Sequence, residues 1–426
     1  MFKTSRFILV AIQTVFGLLN MILIVRLFGT GNQADAYFLG TSTVAALTLI
    51  ELLPVEQFLI FYTESRMLGA GVARQFLGAS ITLAVFTGVC LSLAASLLTY
   101  PLLFLFAEQL GGDRIADAAQ VLICLAGVLL TFPLNFVLRG ALNAAGHFSI
   151  PIVISLLPTL STFLALLLIF SGLHGCGVGA VALAASIGAC IQALSQASLV
   201  VRLGLVSRLY LPNSELLPLI KNSIAMRFSH NLHNLLITLV INNVLSSYGT
   251  GIISAFYYAK QAVGSISSVV LSVPQNVFMT RVSNLWIAKD IFSIENHVRH
   301  FVKVVVPIFL VLCILGYYAI PVLLPGIGSN SKVLRINLVA NFFAIIAIWQ
   351  FIIAIEFPYV VISTCAKDAK VFFFTNLEFV IVFIVLVFTL KSLWSALTIP
   401  ACGALSQLLS FFWYKRRAQY HKLTIA

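Results

Sequence analysis

Apolar runs of about twenty residues or more follow one another along the whole chain, separated by short polar connections. About 20 apolar residues, rising 1.5 Å each, span the hydrocarbon core of a bilayer. The pattern predicts twelve helices, near 7–26, 35–62, 75–106, 117–140, 148–171, 177–201, 219–246, 251–279, 300–325, 334–364, 370–390 and 394–414. Several are longer than the minimum, which implies tilt or kinking. The longest polar connections fall near 202–218 and 284–299, leaving no stretch for a soluble domain. The fold class expected is an all-α polytopic membrane protein.

Two of the connections resemble each other. The stretch "RLFGTGNQADAYF" begins at Arg26, and "SYGTGIISAFYY" begins at Ser247. When residues 28–58 are laid on 248–278 without a gap, Gly29, Thr30, Gly31, Tyr37, Pro54 and Phe58 meet identical residues. Glycine permits a tight turn between helices, and proline kinks the helix that follows. Both copies therefore encode a helix, a short turn, and a second helix kinked some two dozen residues later. An offset of 220 places six helices in each half with the same orientation, a parallel repeat about an axis along the membrane normal. The domain organisation predicted is a six-helix lobe over 1–201, a linker over 202–218, and a second six-helix lobe over 219–426.

Charge refines the topology. Charged residues are only 9% of the chain, yet the net charge is +12. With the N-terminus in the cytoplasm, only Arg26, Arg114, Lys332, Arg335 and Lys391 fall at the outer ends of the predicted helices. Arg227 and Lys260 fall within helices, and the other Lys and Arg cluster at cytoplasmic ends. This is the positive-inside bias, and it places both termini in the cytoplasm. The basicity thus reads as topology and affinity for anionic lipid rather than for nucleic acid. Lys3 and Arg6 precede an apolar run as in a signal peptide, but no small-residue cleavage site precedes Arg26, so the first helix is read as retained. Seven scattered cysteines without a CxxC pair suggest neither a disulfide framework nor a metal site.

Polar residues inside the spans mark candidate chemistry, because a charge facing lipid at the midplane costs at least ~2.5–3.5 kcal/mol. Arg227, His230, Asn231, Asn234, Thr238 and Asn242 fall within about 120° of arc on helix 7. Such a stripe lines a wet cavity or forms an interhelical polar seam. Arg227 and His230 offer cationic hydrogen bonding suited to phosphate. Helix 8 adds Lys260 and Gln261, and helix 1 adds Arg6, Gln13, Gly17 and Asn20. Glu51 and Glu56 straddle Pro54, while Asn376 and Glu378 lie on helix 11; these four are candidates for a coupling ion. Glu356 is a further charge within a span. His230 and His233 have no third ligand, so no metal is expected. No nucleophile–base motif or P-loop appears, so enzyme activity is not expected.

Three passages, "VRLFGTGNQADAYF", "RGALNAAGHFSIP" and "SAFYYAKQAVGSISSVVLSVPQNVFMTRVS", resemble the MurJ/MviN lipid II flippases, of the superfamily that includes Wzx polysaccharide flippases and MATE antiporters. The resemblance implies a V-shaped pair of six-helix lobes alternating between inward and outward access. It also implies a bacterial inner-membrane location and a substrate of undecaprenyl pyrophosphate bearing sugars. Such flippases have fourteen helices and carry cavity arginines on helices 1, 2 and 8. This chain is expected to have twelve helices, and the aligned positions read Thr14 and Asn20, Thr48, and Gln261; Asp35 in the first turn matches.

The function expected is flipping of lipid II or a related polysaccharide precursor from the inner to the outer leaflet. Arg227, His230, Asn231, Asn234, Lys260, Gln261, Asn20 and Asp35 are the substrate-binding candidates. No cofactor is expected, the driving force being an ion gradient or the membrane potential. Partners are the lipid-linked saccharide, membrane lipids and envelope-synthesis enzymes, and not nucleic acid. The rival classes are a MATE-like cation or drug antiporter and a non-transporting scaffold in an envelope-synthesis complex.

Overall fold

The computed structural model describes residues 2–49, 58, 62, 65–108, 112–147, 149–172, 177–206, 208–210, 233–327, 335–366, 368–390 and 395–425. Among these residues there is helix and no strand. Ten helices run to the middle of the chain: α1 Phe2–Phe28, α2 Asn32–Thr48, α3 Ala70–Leu97, α4 Thr99–Phe106, α5 Gly112–Cys124, α6 Ala126–Ala144, α7 Ser149–Ile154, α8 Leu157–Phe170, α9 Val178–Arg202 and α10 His233–Ser246. Among the described residues seven α-helices follow: α11 Ile252–Val270, α12 Ser272–Ile287, α13 Ile291–His300, α14 Val306–Ile327, α15 Ile336–Cys365, α16 Ala369–Leu390 and α17 Thr398–Ile425, with a π-helical turn at Phe301–Val305.

Among the described residues, eight helical stretches are long and apolar enough to cross a membrane, and Ile12–Phe28 and His233–Ser246 are shorter apolar helices. The protein is an all-α, multi-pass membrane protein. Predicted helices 1, 2, 7 and 8, the first pair of each half, are not among the eight; parts of predicted helices 2 and 7 lie outside the described residues. α14 shows the contrasting lipid-type pattern: Ile308, Val311, Leu315 and Tyr318 are exposed at helical spacing, while Phe309 and Cys313 are buried opposite them.

The chain divides into two compact units. The first comprises Met1–Phe28 and Asn32–Asn243; the second comprises Gly29–Gly31 and Val244–Ala426. The boundary therefore runs through α10. Most of the expected linker lies outside the described residues.

In the first unit, α3 and α6 enclose a core built on Phe58, Tyr62 and Phe76, whose rings stack at 5.5–6.4 Å. Gly140, from the "RGALNAAGHFSIP" passage, lets the Phe58 ring approach: a Cβ there would lie 2.6 Å from it. The helix then ends on Gly146, where the His147 N–H donates to the Leu142 carbonyl at 2.9 Å. Two arginines serve helix C-termini. Arg66 donates to the Ala144 carbonyl, and Arg74 donates to the Gly204 carbonyl at 3.1 Å. A cation at the negative end of a helix dipole is favourable.

In the second unit, the predicted kink before Pro274 appears as an interruption: α11 stops at Val270, Leu271 is a turn, and α12 begins at Ser272. Proline has no N–H to donate one turn back, so the preceding carbonyls are freed there. The equivalent residues around Pro54 lie outside those described; α2 ends at Thr48.

The turn between α15 and α16 is braced by α17. Asp368 accepts from Arg417 Nε and from His421 Nε2, each at 2.7 Å, and from the Val371 N–H at 3.2 Å. Burial raises the Asp368 carboxyl, but the hydrogen bonds from Arg417, His421 and Val371 outweigh it and hold the carboxyl below its ordinary value.

Two predictions follow from this packing. Gly251 has φ +84°, and a Cβ there would sit 2.7 Å from the Thr30 carbonyl oxygen; Gly249, at φ +96°, has open space around it. Gly251→Ala should destabilise the detergent-solubilised protein by about 1–3 kcal/mol, and by more than Gly249→Ala, measured as loss of the monodisperse chromatographic peak on heating. Asp368 titrates lower in the folded protein than unfolded, so its stabilisation is complete above the unfolded carboxylate value. It is lost as pH falls through the folded value. The melting-temperature gap between wild type and Asp368→Asn should therefore be open at neutral pH and close in strong acid.

Candidate functional site

The paired Gly-Thr-Gly turns come together in one place. Gly29–Gly31 belongs to the second unit, where the Tyr258 hydroxyl donates to the Gly29 carbonyl at 2.7 Å. The Arg335 N–H donates to Thr30 Oγ1 at 3.3 Å, and Gly251 abuts the Thr30 carbonyl. Gly29 takes φ +61° and Gly251 takes φ +84°, the left-handed region that only glycine enters cheaply. Beside this cluster lies a cavity of about 750 Å³ lined by Tyr248, Ile252, Pro321, Arg335, Asn337 and Ser395. Sequence reasoning placed Arg335 at a helix end, and nothing in the local pattern signalled that α15 begins at a cavity wall.

Of the helix 7 candidates, Arg227, His230 and Asn231 lie outside the described residues, and Asn234 is half-buried near the start of α10. Asn242, at the far end of the same stripe, is fully buried and donates to Ser42 Oγ of α2 at 2.8 Å. At that level the stripe is an interhelical polar seam rather than a cavity wall. On α11, Lys260 is exposed, with its ammonium 5.5 Å from the centroid of the Tyr257 ring. That aromatic face holds a cation without neutralising it. Gln261 beside it is half-buried.

On the first unit's helices, Asn20 is buried and donates from Nδ2 to the Thr159 carbonyl of α8 at 3.0 Å. Asp35 is fully buried in the first turn of α2, where the helix presents free backbone N–H groups and the positive end of its dipole. Thus Asn20 contributes to packing within its unit, and Asp35 lies at the helix end whose dipole favours a negative charge.

The acidic candidates separate by location. Glu51 and Glu56 lie outside the described residues. Glu378 and Asn376 are half-buried on α16, and Glu378 accepts from the Trp413 indole. The carboxylate buried most completely within the second unit is Glu356 on α15, 5% exposed. Gln407 Nε2 donates to Glu356 Oε2 at 2.8 Å, and Trp349 Nε1 donates to Gln407 Oε1 at 3.2 Å. The sequence shows Glu356 as a charge inside a span, but its partners stand 51 and 7 residues away, and no spacing rule links all three.

What this arrangement offers chemically is binding rather than bond-making: a cation over an aromatic ring, amides on facing helices, and a buried carboxyl at the end of a hydrogen-bond chain. Known proteins sharpen that reading. The fold matches a structure described as lipid II flippase MurJ in an inward closed conformation, with TM-score 0.79 and 14% identity over 98% of this chain and 89% of that one. It also matches an inward-facing multidrug resistance MATE family transporter of the MOP superfamily, with TM-score 0.75 and 13% identity over 97% of this chain and 96% of that one. A third match is a MOP superfamily transporter from Pyrococcus furiosus, described as having a binding pocket of reversed polarity, with TM-score 0.67 and 16% identity over 99% and 95%. At these identities the likenesses establish the fold alone. No curated protein matches in sequence. The sequence model of the family described as lipid II flippase MurJ matches residues 24–326, well over half of the chain. This chain belongs to the lipid II flippase MurJ family.

Proposed function

We propose that the protein flips an undecaprenyl-pyrophosphate-linked saccharide, lipid II or a related polysaccharide precursor, from the inner to the outer leaflet. It does so as a transporter and not an enzyme, in the bacterial inner membrane with both termini cytoplasmic. The observation that carries this reading is the family match over residues 24–326. Alternating access of two six-helix lobes is the mechanism, and it requires that the headgroup bind the two states unequally.

Headgroup recognition falls to Arg227, His230, Asn231, Asn234, Lys260 and Gln261, with Asn20 and Asp35 supporting from the first half. A pyrophosphate needs positive charge, and where such flippases carry cavity arginines this chain has Thr14, Asn20, Thr48 and Gln261. Arg227 and Lys260 are the intramembrane cations available to replace them. Arg grips phosphate oxygens in pairs, and Lys adds a point charge. A cation or drug antiporter would instead need an acidic cavity, and helices 1, 7 and 8 contain no carboxylate in their spans.

A charge-assisted hydrogen bond contributes about 1.5–3 kcal/mol, which corresponds to about 10–100-fold in rate. Arg227→Ala and Lys260→Ala should each lower flipping of a lipid-linked oligosaccharide by that factor in reconstituted vesicles. Lys260→Arg should retain most activity. Unchanged transport in both alanine variants would discard the site. Cysteines placed along α10 should alternate in reagent access between the two sides; the scaffold reading predicts that they do not.

A further inference from the structure

The chain of contacts ending on Glu356 is an under-satisfied polar cluster inside the second unit. α15 and α17 run side by side in a register fixed by three contacts: a Cβ on Gly403 would meet the Trp349 ring, Gln407 donates to Glu356, and the Tyr359 and Phe411 rings lie 5.8 Å apart. This register sets Glu356 against the row Gln407, Ser410 and Tyr414, which share one face of α17. Tyr414 is 4% exposed, lies within electrostatic reach of Glu356 and is hydrogen-bonded to Thr375 of α16. The hydroxyls of Ser406 and Ser410, 0% and 3% exposed, have no hydrogen-bond partner. Buried polar groups are ordinarily satisfied, so two unpartnered hydroxyls on the helix that carries Gln407 call for an explanation.

The hydrogen-bond directions are determined. An indole N–H only donates, so Trp349 makes Gln407 Oε1 an acceptor and turns its Nε2 toward Glu356. Glu356 Oε2 therefore accepts whether or not the group is charged, and Oε1 is the oxygen free to carry a proton. Among the described residues no Lys, Arg or His lies within 4.0 Å of it. The titratable side chains on the packed elements are these. Tyr414 is on α17, whose Lys415 and Arg416 lie further toward its C-terminal end and whose Arg417 and His421 are engaged with Asp368. Phe301 packs on Phe357, and Lys303 of the same turn is exposed. Lys260 of α11 lies about 15 Å toward the other end of α15, judged from the Phe256–Phe342 and Ser267–Gln350 contacts. Arg281 of α12 is exposed one turn beyond the Phe278–Phe357 contact. Cys313, Tyr317 and Tyr318 are on α14, and Glu378 of α16 is engaged with Trp413. No cation balances the carboxylate from any of these elements, and a buried charge without one is costly. Pro358, two residues on, removes an N–H from the helix and frees the Ala354 carbonyl, so the carboxyl sits where α15 can bend.

We propose that Glu356, with Gln407, Ser410 and Tyr414, is a reversible proton-binding site that couples transport to the proton gradient. One proton adds to the carboxylate to give the neutral acid and leaves again on the return step, with no other bond changed. Coupling requires that the proton bind one of the two transport states better than the other. The site itself stands on the geometry; the coupling rests on the transport reading above.

The test uses the full-length protein in vesicles. Infrared difference spectra over a pH titration should show a protonated-carboxyl band that disappears in Glu356→Gln, which preserves shape and hydrogen-bonding atoms. Gln407→Met should keep the band and move its titration midpoint. An imposed pH gradient should raise flipping of a lipid-linked oligosaccharide severalfold in wild type and leave Glu356→Gln unresponsive. A band that survives in Glu356→Gln, or no band while wild type flips lipid irrespective of pH, overturns the proton site and leaves the transport reading standing. Response to a sodium gradient at fixed pH without a carboxyl band overturns it as well, assigning the cluster to an alkali cation. Titration of the Glu356 band in a wild type that flips no lipid-linked saccharide supports the site and discards the transport reading.

Discussion

Hydrocarbon offers no water to hydrogen-bond a buried polar group, and the organisation of this molecule follows from that constraint. Backbone groups meet it by helix formation throughout the described residues. Helix ends, where four carbonyls lack intrahelical partners, meet it with arginine side chains: Arg66 on Ala144 and Arg74 on Gly204. Side chains meet it across helices, as Asn242 does with Ser42 and Asn20 with the Thr159 carbonyl. Glu356 meets it only in part, through Gln407. Asn20 is paired through Nδ2 while its Oδ1 has no partner, and both amides act as packing; the incompletely paired carboxyl is where a mobile charge has something to gain.

α1, α2, α10 and α11 carry Asn, Gln, Asp, Thr and Lys among their apolar residues, whereas α14 exposes Ile308, Val311 and Leu315. The Gly-Thr-Gly turns illustrate how a repeated sequence can take unequal roles. Gly249 and Gly251 both enter the left-handed region, whereas in the first copy only Gly29 does, and its carbonyl is held by Tyr258.

Much of the fold was legible from the chain. Most helix positions followed from apolar run lengths, because crossing hydrocarbon sets a minimum length; the exception is 284–299, expected as a polar connection, where α12 runs on to Ile287 and α13 spans Ile291–His300. The interruption before Pro274 followed from the missing N–H of proline, and the turn at Gly251 from the spacing of glycines between two spans. The polar stripe on α10 was visible as a periodicity, but its use was not: a helical wheel shows that Asn242 belongs to the same polar stripe as Asn234, and cannot show that Ser42 stands opposite.

The amino-acid sequence by itself determined the membrane class, the helix order, the turns and the list of polar groups that must be accommodated inside the bilayer, since each depends on local composition and short-range geometry. Only the tertiary structure decided which of those groups are paired. It joined Trp349, Gln407 and Glu356 into one chain, brought Arg335 to a cavity beside Thr30, and tied Asp368 to Arg417 and His421. The physical reason is that a hydrogen bond depends on distances of about 3 Å between atoms, and helix packing sets those distances between residues far apart in the chain.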